Sequence, residues 1–232
     1  MNEPYSINQN LLKIAALISM TVNHVAIIFF DREDCFGSYI GRIAMPLFIY
    51  LLTYNFLYRS RDTLAYIKRI FFFALLSQVP FYMAFGETEV LNILFTLGTL
   101  ALLYYFTLEY FKRSGLAYYI ISLIVLVMFF IFSILEIPIT WDYGFAAYFV
   151  GISFLCLHIH RSAEYLIYSI VSLFFLNDDI QSYIAILTYL PIMLLLSFRI
   201  RWELSYVSRN KHFFYLYYPL HLLLLVLCKR LL

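Results

Sequence analysis

Residues 11–30 read LLKIAALISMTVNHVAIIFF, an apolar stretch long enough to cross the hydrocarbon core of a membrane as one helix. The stretch nevertheless contains Asn23 and His24, well inside its second half. An ionisable side chain at this depth costs roughly 3 kcal/mol on insertion scales, and it is rarely retained without a partner or a task. We therefore predict a membrane-spanning helix that carries part of a functional site.

The composition of the whole chain extends this prediction. Of its 232 residues, 64% are hydrophobic and 21% are aromatic, whereas soluble domains are roughly half apolar. The length leaves room for about nine spans of roughly 20 residues with short connections, and none for a soluble domain. The predicted fold class is all-α: a polytopic membrane protein with about nine transmembrane helices (roughly 8–10) that form a single transmembrane domain over residues 1–232.

Apolar segments and the charged connections between them predict the positions and orientation of the spans. The expected bounds are 11–30, 39–58, 66–85, 91–110, 116–135, 143–159, 163–176, 182–198 and 213–231. Connections rich in lysine and arginine alternate with acidic ones, and the basic connections of a membrane protein stay in the cytoplasm. We therefore predict a cytoplasmic N-terminus and a location in the cytoplasmic (inner) membrane. Lys229 and Arg230, which this scheme places outside, are its exception.

Other features exclude several classes of site. The three cysteines are far apart and form no Cys-x-x-Cys, which argues against a disulfide framework or a thiolate metal site. His158 and His160 are two residues apart and point away from each other on a helix, so no metal is expected there. With only seven glycines, the chain shows no phosphate-binding glycine-rich loop, and no nucleic-acid partner is expected. The first span has no small-residue cleavage site after it and should be retained.

Polar residues of different spans converge in the outer half of the predicted bundle. His24 lies in the outer half of the first span, and Arg42 lies near the outer end of the second. His221 is near mid-depth in the last span, one turn after Tyr217 and Tyr218. The other polar residues predicted at this level are Gln78, Asn92 and Asp142.

Three prolines fall close to these residues. A proline inside a helix leaves the carbonyl four residues earlier without its donor. The carbonyls expected to be freed are those of Arg42, Leu76 and Tyr215, by Pro46, Pro80 and Pro219. In lipid such a carbonyl needs another partner or a wet cavity, so the prolines indicate either a hydrated pocket or kinks satisfied by nearby serine and threonine.

Several short motifs, in this order, resemble the TraX family. They are Lys13–Met20 with Asn23 and His24, Gly41–Phe48, Arg69 with Ser77–Phe81, and Asn92–Leu97, followed by the islands Trp141–Gly144 and Tyr218–His221. The ordered set with its spacing is more specific than any single string, and the resemblance is strongest over residues 8–110. One departure is that the family pattern usually has Asp-His where this chain has Asn23 and His24.

The resemblance implies a membrane enzyme. TraX proteins are implicated in N-terminal acetylation of conjugative pilin and look like distant relatives of transmembrane acyltransferases. The acyl donor would be acetyl-CoA, and the acceptor a pilin N-terminus, another peptide, or a cell-envelope glycan or lipid at the outer face. An acidic residue in the place of Asn23 would alter the protonation of His24, whereas Asn23 can only orient it through a hydrogen bond.

Acyl transfer to an amine or hydroxyl requires a base and a donor for the developing oxyanion. His24 suits the first task. Arg42, which stays cationic when partly buried, can stabilise the oxyanion or grip phosphates of the donor. Gln78, Asn92 and Asp142 are candidates for orienting His24 or the acceptor, and His221 for a second acid or base or a structural hydrogen bond. Candidates for binding the phosphates of acetyl-CoA at the cytoplasmic end are Arg61, Lys68, Arg69 and Lys112.

Two other classes remain open. Intramembrane His and Arg residues with proline-interrupted helices are also what a transporter or permease with a polar substrate site requires. A non-catalytic assembly subunit would use the excess of tyrosine and phenylalanine for helix packing and interfaces. The cytoplasmic basic residues are equally explained by membrane orientation and contact with anionic lipid.

Overall fold

The computed structural model describes residues 9–30, 36–87, 89–110, 140–141, 143–144, 146–176 and 213–232, with single positions at 120, 123, 124 and 127. These residues are mostly helical. In chain order the elements are α1 (Gln9–Phe30), α2 (Phe36–Gly41), α3 (Ala44–Tyr54, continued by a π-helical turn over Asn55–Arg59), α4 (Thr63–Phe85), β1 (Val90–Leu91), α5 (Ile93–Tyr110), β2 (Thr140–Trp141), α6 (Ala146–His160), α7 (Ala163–Phe174) and α8 (Phe213–Leu231).

Within the described ranges, four helical segments are long and apolar enough to cross a membrane. They are Leu11–Phe30, Phe36–Arg59, Thr63–Phe85 and Phe213–Leu231. Three shorter apolar helices cover Ile93–Leu108, Ala146–His160 and Ala163–Phe174. The prediction of a helical membrane protein is therefore confirmed, while these residues support four full-length spans and not nine. The predicted spans 116–135 and 182–198 lie almost wholly outside the described residues.

The second span is interrupted where the sequence predicted a continuous helix. α2 ends at Gly41 and α3 begins at Ala44, and the turn between them is closed by hydrogen bonds from the backbone N–H of Arg42 to Ser38 O and of Ile43 to Ile40 O, both 3.2 Å. Pro46 therefore lies in the first turn of α3, where its missing N–H would have no helical partner in any case. The predicted second span is therefore not one continuous helix, and that Pro46 leaves the Arg42 carbonyl without a helical donor stays a prediction.

Helix α1 lies between two parts of the bundle. It packs against α2 and α3 on one side and against α8 on the other, and α8 also packs along α4. The remaining helices extend the bundle, α5 beside α4 and α6 between α3 and α7. Large side chains of α4 and α8 are exposed on the outer surface, as expected for helices that face lipid. They include Phe72, Leu75, Val79, Leu220, Leu224 and Leu227.

Helices α1 and α8 run in the same direction. Along α1, Lys13, Thr21 and His24 contact α8 in the order in which their partners occur, namely Phe214, Tyr217 and His221. Two packed helices with contacts in matching order are parallel. The N-terminal ends of the first and last described helices therefore lie at the same end of the bundle.

Within the described part of the chain, two short segments form a parallel strand pair of two residues each. Val90 pairs with Thr140 and Leu91 with Trp141, which joins the connection after α4 to the segment that leads into α6. Backbone N–H and C=O groups need partners wherever water is limited, and such a pair supplies them. Both segments were predicted to lie outside, and the pairing places them at the same end of the bundle.

Candidate functional site

The buried rings of His24 and His221 are joined by a hydrogen bond. His24 Nδ1 lies 2.8 Å from His221 Nε2. The ring planes differ by only 8° and the centroids are 5.0 Å apart, so the rings meet edge to edge in one plane. Each side chain is more than nine-tenths shielded, with exposures of 9% and 7%. The structure thus brings together the first-rank candidate base and a residue that the sequence placed in the second rank.

The partners of His221 define the direction of this bond. Its Nδ1 lies 2.9 Å from the backbone carbonyl oxygen of Tyr217, one turn earlier on α8. A carbonyl only accepts, so Nδ1 of His221 carries the proton and, in the neutral ring, its Nε2 is the acceptor. His24 Nδ1 must then be the donor, which leaves the lone pair of neutral His24 on Nε2. In this tautomer, neutral His24 can act as a base through Nε2.

Tyr217 and Thr21 hold the two helices in the register that this pair requires. The Thr21 hydroxyl donates to Leu17 O on its own helix at 2.8 Å, so it accepts the hydrogen bond from the Tyr217 hydroxyl, also at 2.8 Å. The Tyr217 ring lies nearly parallel to that of His221, with centroids 5.0 Å apart. His221 is therefore fixed through both its ring nitrogen and its face.

Aromatic rings form the wall around His24. The ring of Phe85, at the end of α4, meets His24 edge-on at 5.2 Å, and Tyr218 does so at 6.4 Å. After Phe85 the helix ends at Gly86, whose φ of 76° requires the left-handed conformation that glycine adopts without strain. This turn leads the chain away from the histidine pair. The wall keeps the His24 ring in an apolar setting where electrostatic contacts are strengthened.

Asn23 faces a different helix from His24, because consecutive residues on a helix point about 100° apart. Its side chain lies directly against Gly41 of α2, where a Cβ would come within 2.3 Å of Asn23 Cβ. The small residue thus permits a close approach of α1 and α2. The hydrogen bond that orients the His24 ring comes from His221, and Asn23 serves the packing of α1 on α2.

Arg42 follows Gly41 and therefore lies near the level of Asn23 and His24. Its side chain is half-buried, and its Nε has no hydrogen-bond partner among the described residues. A desolvated N–H of a guanidinium group is costly, and a ligand oxygen would satisfy it. That Arg42 and His24 face one cavity stays a prediction.

Gln78 and Asn92 bind each other and the backbone. Asn92 Nδ2 donates to Gln78 Oε1 at 2.7 Å and to Ala74 O at 2.8 Å, and Gln78 Nε2 donates to Val90 O at 2.8 Å. Asn92 Oδ1 accepts from the Leu94 N–H at 3.0 Å, as the N-cap of α5. These bonds join α4 to the start of α5, which gives both residues a structural task. Asp142, the other residue of this group, lies outside the described residues.

The predicted phosphate-binding residues are at the other end of α4. Arg61 and Lys68 are exposed, and Arg69 is half-buried beside the hydroxyls of Tyr66 and Tyr215. Lys112 lies outside the described residues. Sequence reasoning gave no role to Lys13, whose Nζ lies 4.9 Å from the centroid of the Phe214 ring. Its position was a usable signal, since it precedes His24 by three helical turns on the same face of α1.

A known protein family matches this chain. Residues 8–229, nearly its whole length, match the family described as TraX protein. The chain belongs to the TraX family. This confirms the resemblance seen in the ordered motifs around His24 and Arg42, and the matched residues include the later islands, among them the one that ends at His221.

Two relatives are similar over part of the chain. A probable fimbrial assembly protein FimC, serogroup H1, of Dichelobacter nodosus is 33% identical over 95 residues, which is 38% of each chain. An uncharacterized protein of Rickettsia prowazekii (strain Madrid E) is 32% identical over 89 residues, 38% of this chain and 33% of the relative. The chain thus aligns with 38% of the length of the first relative and 33% of that of the second. No solved structure matches it.

Proposed function

We propose that this TraX-family protein is a membrane acetyltransferase that moves an acetyl group from acetyl-CoA to an amine or hydroxyl at the outer face of the cytoplasmic membrane. The observation that carries the proposal is the hydrogen-bonded pair of His24 and His221, with its direction set by the Tyr217 carbonyl. A purely structural histidine pair does not require a free ring nitrogen, whereas a general base does.

In the proposed reaction, Nε2 of His24 takes the proton of the acceptor as the acceptor attacks the thioester carbonyl carbon. His24 becomes an imidazolium whose Nδ1 proton remains bound to His221 Nε2, so the pair accommodates the added charge without rearrangement. Proton transfer by a positioned group of this kind contributes roughly 100- to 10,000-fold in rate.

Arg42 would supply the second contribution. Attack places negative charge on the thioester oxygen, and the half-buried guanidinium with its unbonded Nε is suited to stabilise that charge. When the intermediate collapses, the carbon–sulfur bond breaks, and the CoA sulfur takes the proton from His24. The products are an amide or ester and free CoA, and His24 returns to its starting form.

In the proposed reaction, the acetyl donor and the acceptor reach the site from opposite sides of the membrane. We propose that the N-terminus is cytoplasmic, that the whole chain crosses the membrane about nine times, and that acetyl-CoA enters from the end that bears Arg61, Lys68 and Arg69. His24 and His221 would then lie in the outer half, within reach of an acceptor outside the cell.

For the acceptor, we propose the N-terminus of a pilin. Membership of the TraX family and similarity to a probable fimbrial assembly protein both favour a role in pilus assembly. Other peptides, cell-envelope glycans and lipid head groups carry the same amine and hydroxyl chemistry, and they are alternative acceptors.

The test is an acetyl-transfer assay on protein purified in detergent, with acetyl-CoA and a peptide that carries a free pilin-type N-terminus. We expect CoA thiol to be released together with an acetylated peptide, detected by mass spectrometry. A transporter or permease would leave the thioester intact. A protein that assembles pili in cells and transfers no acetyl group would instead be a non-catalytic assembly subunit.

A further inference from the structure

A cavity of about 150 Å³ lies at the end of the bundle that bears the basic residues. Its walls are mainly apolar, and four polar side chains line it among them. The apolar walls include Leu51, Leu52, Leu94 and Leu97, and the polar lining residues are Lys13, Asn55, Tyr66 and Tyr215. Such a lining fits a ligand with an apolar chain and one polar end.

Lys13 gives the cavity a positive charge. Its side chain is half-buried on α1 and lies over the Phe214 ring, and the charged neighbour that acts on it is the cation of Arg59. The structure pairs Lys13 with no carboxylate among the described residues. An anion bound next to Lys13 would stabilise its ammonium group at this partly desolvated site.

The cavity also has hydroxyl donors close by. Tyr66 and Tyr215 line the cavity together, near the Arg69 guanidinium. A phenol hydroxyl is a donor that can bind a ligand oxygen. An ammonium and two phenol hydroxyls that line one small space match the oxygens of a phosphate better than those of a neutral group.

The cavity is aligned with the histidine pair. Lys13 and His24 are eleven residues apart on α1, which is about three turns and places them on one face of the helix, about 16 Å apart along its axis. On the parallel helix α8, Phe214 and His221 are seven residues apart and share a face in the same way. The line of contacts between α1 and α8 therefore runs from the cavity towards His24.

We propose that this cavity binds a flexible chain that ends in a phosphate, with the phosphate at Lys13 and the chain directed along α1 towards His24. Two ligands have this chemistry, the phosphopantetheine arm of an acyl-CoA and a single-chain phospholipid. The first deepens the proposed function, on which it rests, because it would present a thioester at His24. Binding in the cavity requires only that the ligand has a chain and a terminal phosphate, and it does not depend on acetyl transfer.

The experiment measures binding of phosphopantetheine and of lysophosphatidic acid to the purified full chain by isothermal titration calorimetry in a neutral detergent. Neither probe carries an acetyl group, so binding is separate from transfer. At least one probe should bind, and Lys13→Met should weaken it tenfold or more, because Met keeps the packing over Phe214 and removes the charge. Lys229→Met removes the same charge at the exposed end of α8 and should bind like the original protein.

A second variant tests the chain. Leu94→Phe fills the cavity and leaves Lys13 in place, so it should also weaken binding at least tenfold, and it keeps the test valid if Lys13→Met fails to fold. Failure of both probes to bind, or unchanged binding by both variants, overturns the proposal. In the unsubstituted protein, binding of a probe without acetyl transfer in the assay described above would support the cavity and contradict the proposed function.

Discussion

His24 Nδ1 lies 2.8 Å from His221 Nε2, in a hydrogen bond between residues 197 positions apart in the sequence. The bond joins the first described helix to the last. Because the Tyr217 carbonyl fixes the proton on His221, the bond has one direction and leaves Nε2 of His24 as the free nitrogen. Helix α8 thereby sets the tautomer of His24 on α1, in addition to packing against α4.

The first prediction concerns His24 itself. His24→Gln keeps a similar size and one hydrogen-bonding group but removes the base, so acetyl transfer should fall by a factor on the order of 100 or more. The protein should insert in the membrane and purify in normal yield. The measurement is kcat for acetyl transfer per folded molecule. His160→Gln, at the exposed end of α6, is the matched control and should keep full activity.

The second prediction concerns His221 as a positioning residue. His221→Leu removes the acceptor that orients His24, and kcat should fall at least about tenfold while KM for acetyl-CoA changes little. His221→Gln retains a carbonyl acceptor for His24 Nδ1 and should recover most of that loss. In the double variant with His24→Gln, the His221 substitution should add almost nothing, because residues that act as a unit are not additive. Additive losses would show that the two rings work separately.

Four of the nine predicted spans are confirmed among the described residues, whereas the partners of the polar residues could not be predicted from the sequence. Segments such as 11–30 and 213–231 follow from apolar length alone, and the helices begin and end within a few residues of them. The helix break at Arg42 and Ile43 could not be predicted from the sequence, since Pro46 is equally compatible with a kink and with a helix start. Pairing of His24 with His221 depends on which helices are neighbours, and this is set by packing across the whole chain.

Depth was also a poor guide to which polar residues act together. Gln78 and Asn92 lie at the predicted outer level with His24, yet their amide groups are used to join α4 to α5. Amide side chains satisfy backbone groups at helix ends as well as they bind substrates, so residue type and level do not separate the two tasks. The hydrogen-bond partners of each amide show which of the two tasks it has.

The third prediction follows from that distinction. Asn92→Leu leaves the Leu94 N–H without its acceptor and removes the side-chain donor to Ala74 O and Gln78 Oε1, which should cost about 1–3 kcal/mol of stability. Thermal unfolding in detergent should show a lower Tm. The kcat of the remaining folded protein should be nearly unchanged. A large loss of kcat at unchanged Tm would return Asn92 to the active site.

The fourth prediction concerns orientation. In a background without Cys35, Cys156 and Cys228, Glu87→Cys should react with an impermeant thiol reagent from outside intact cells, and Arg61→Cys should not. The two positions flank α4, which is long enough to place them on opposite sides of the membrane. Reaction at position 61 from outside would invert the proposed topology and move the histidine pair to the cytoplasmic half.

The last prediction tests the contact that places Arg42 near the histidine pair. Gly41→Ala puts a Cβ within 2.3 Å of Asn23 Cβ, a separation that forces α1 and α2 apart and should cost about 1–3 kcal/mol. Gly98→Ala is the milder control, because its new Cβ would meet only the Phe71 ring at 3.1 Å. Asn23→Gly removes the opposing Cβ, so the double variant with Gly41→Ala should recover much of the lost Tm. If acetyl transfer falls in Gly41→Ala and returns in the double variant, the spacing of α1 and α2 sets the position of Arg42 relative to His24. An unchanged Tm in Gly41→Ala would mean that the two helices are not in close contact at this level.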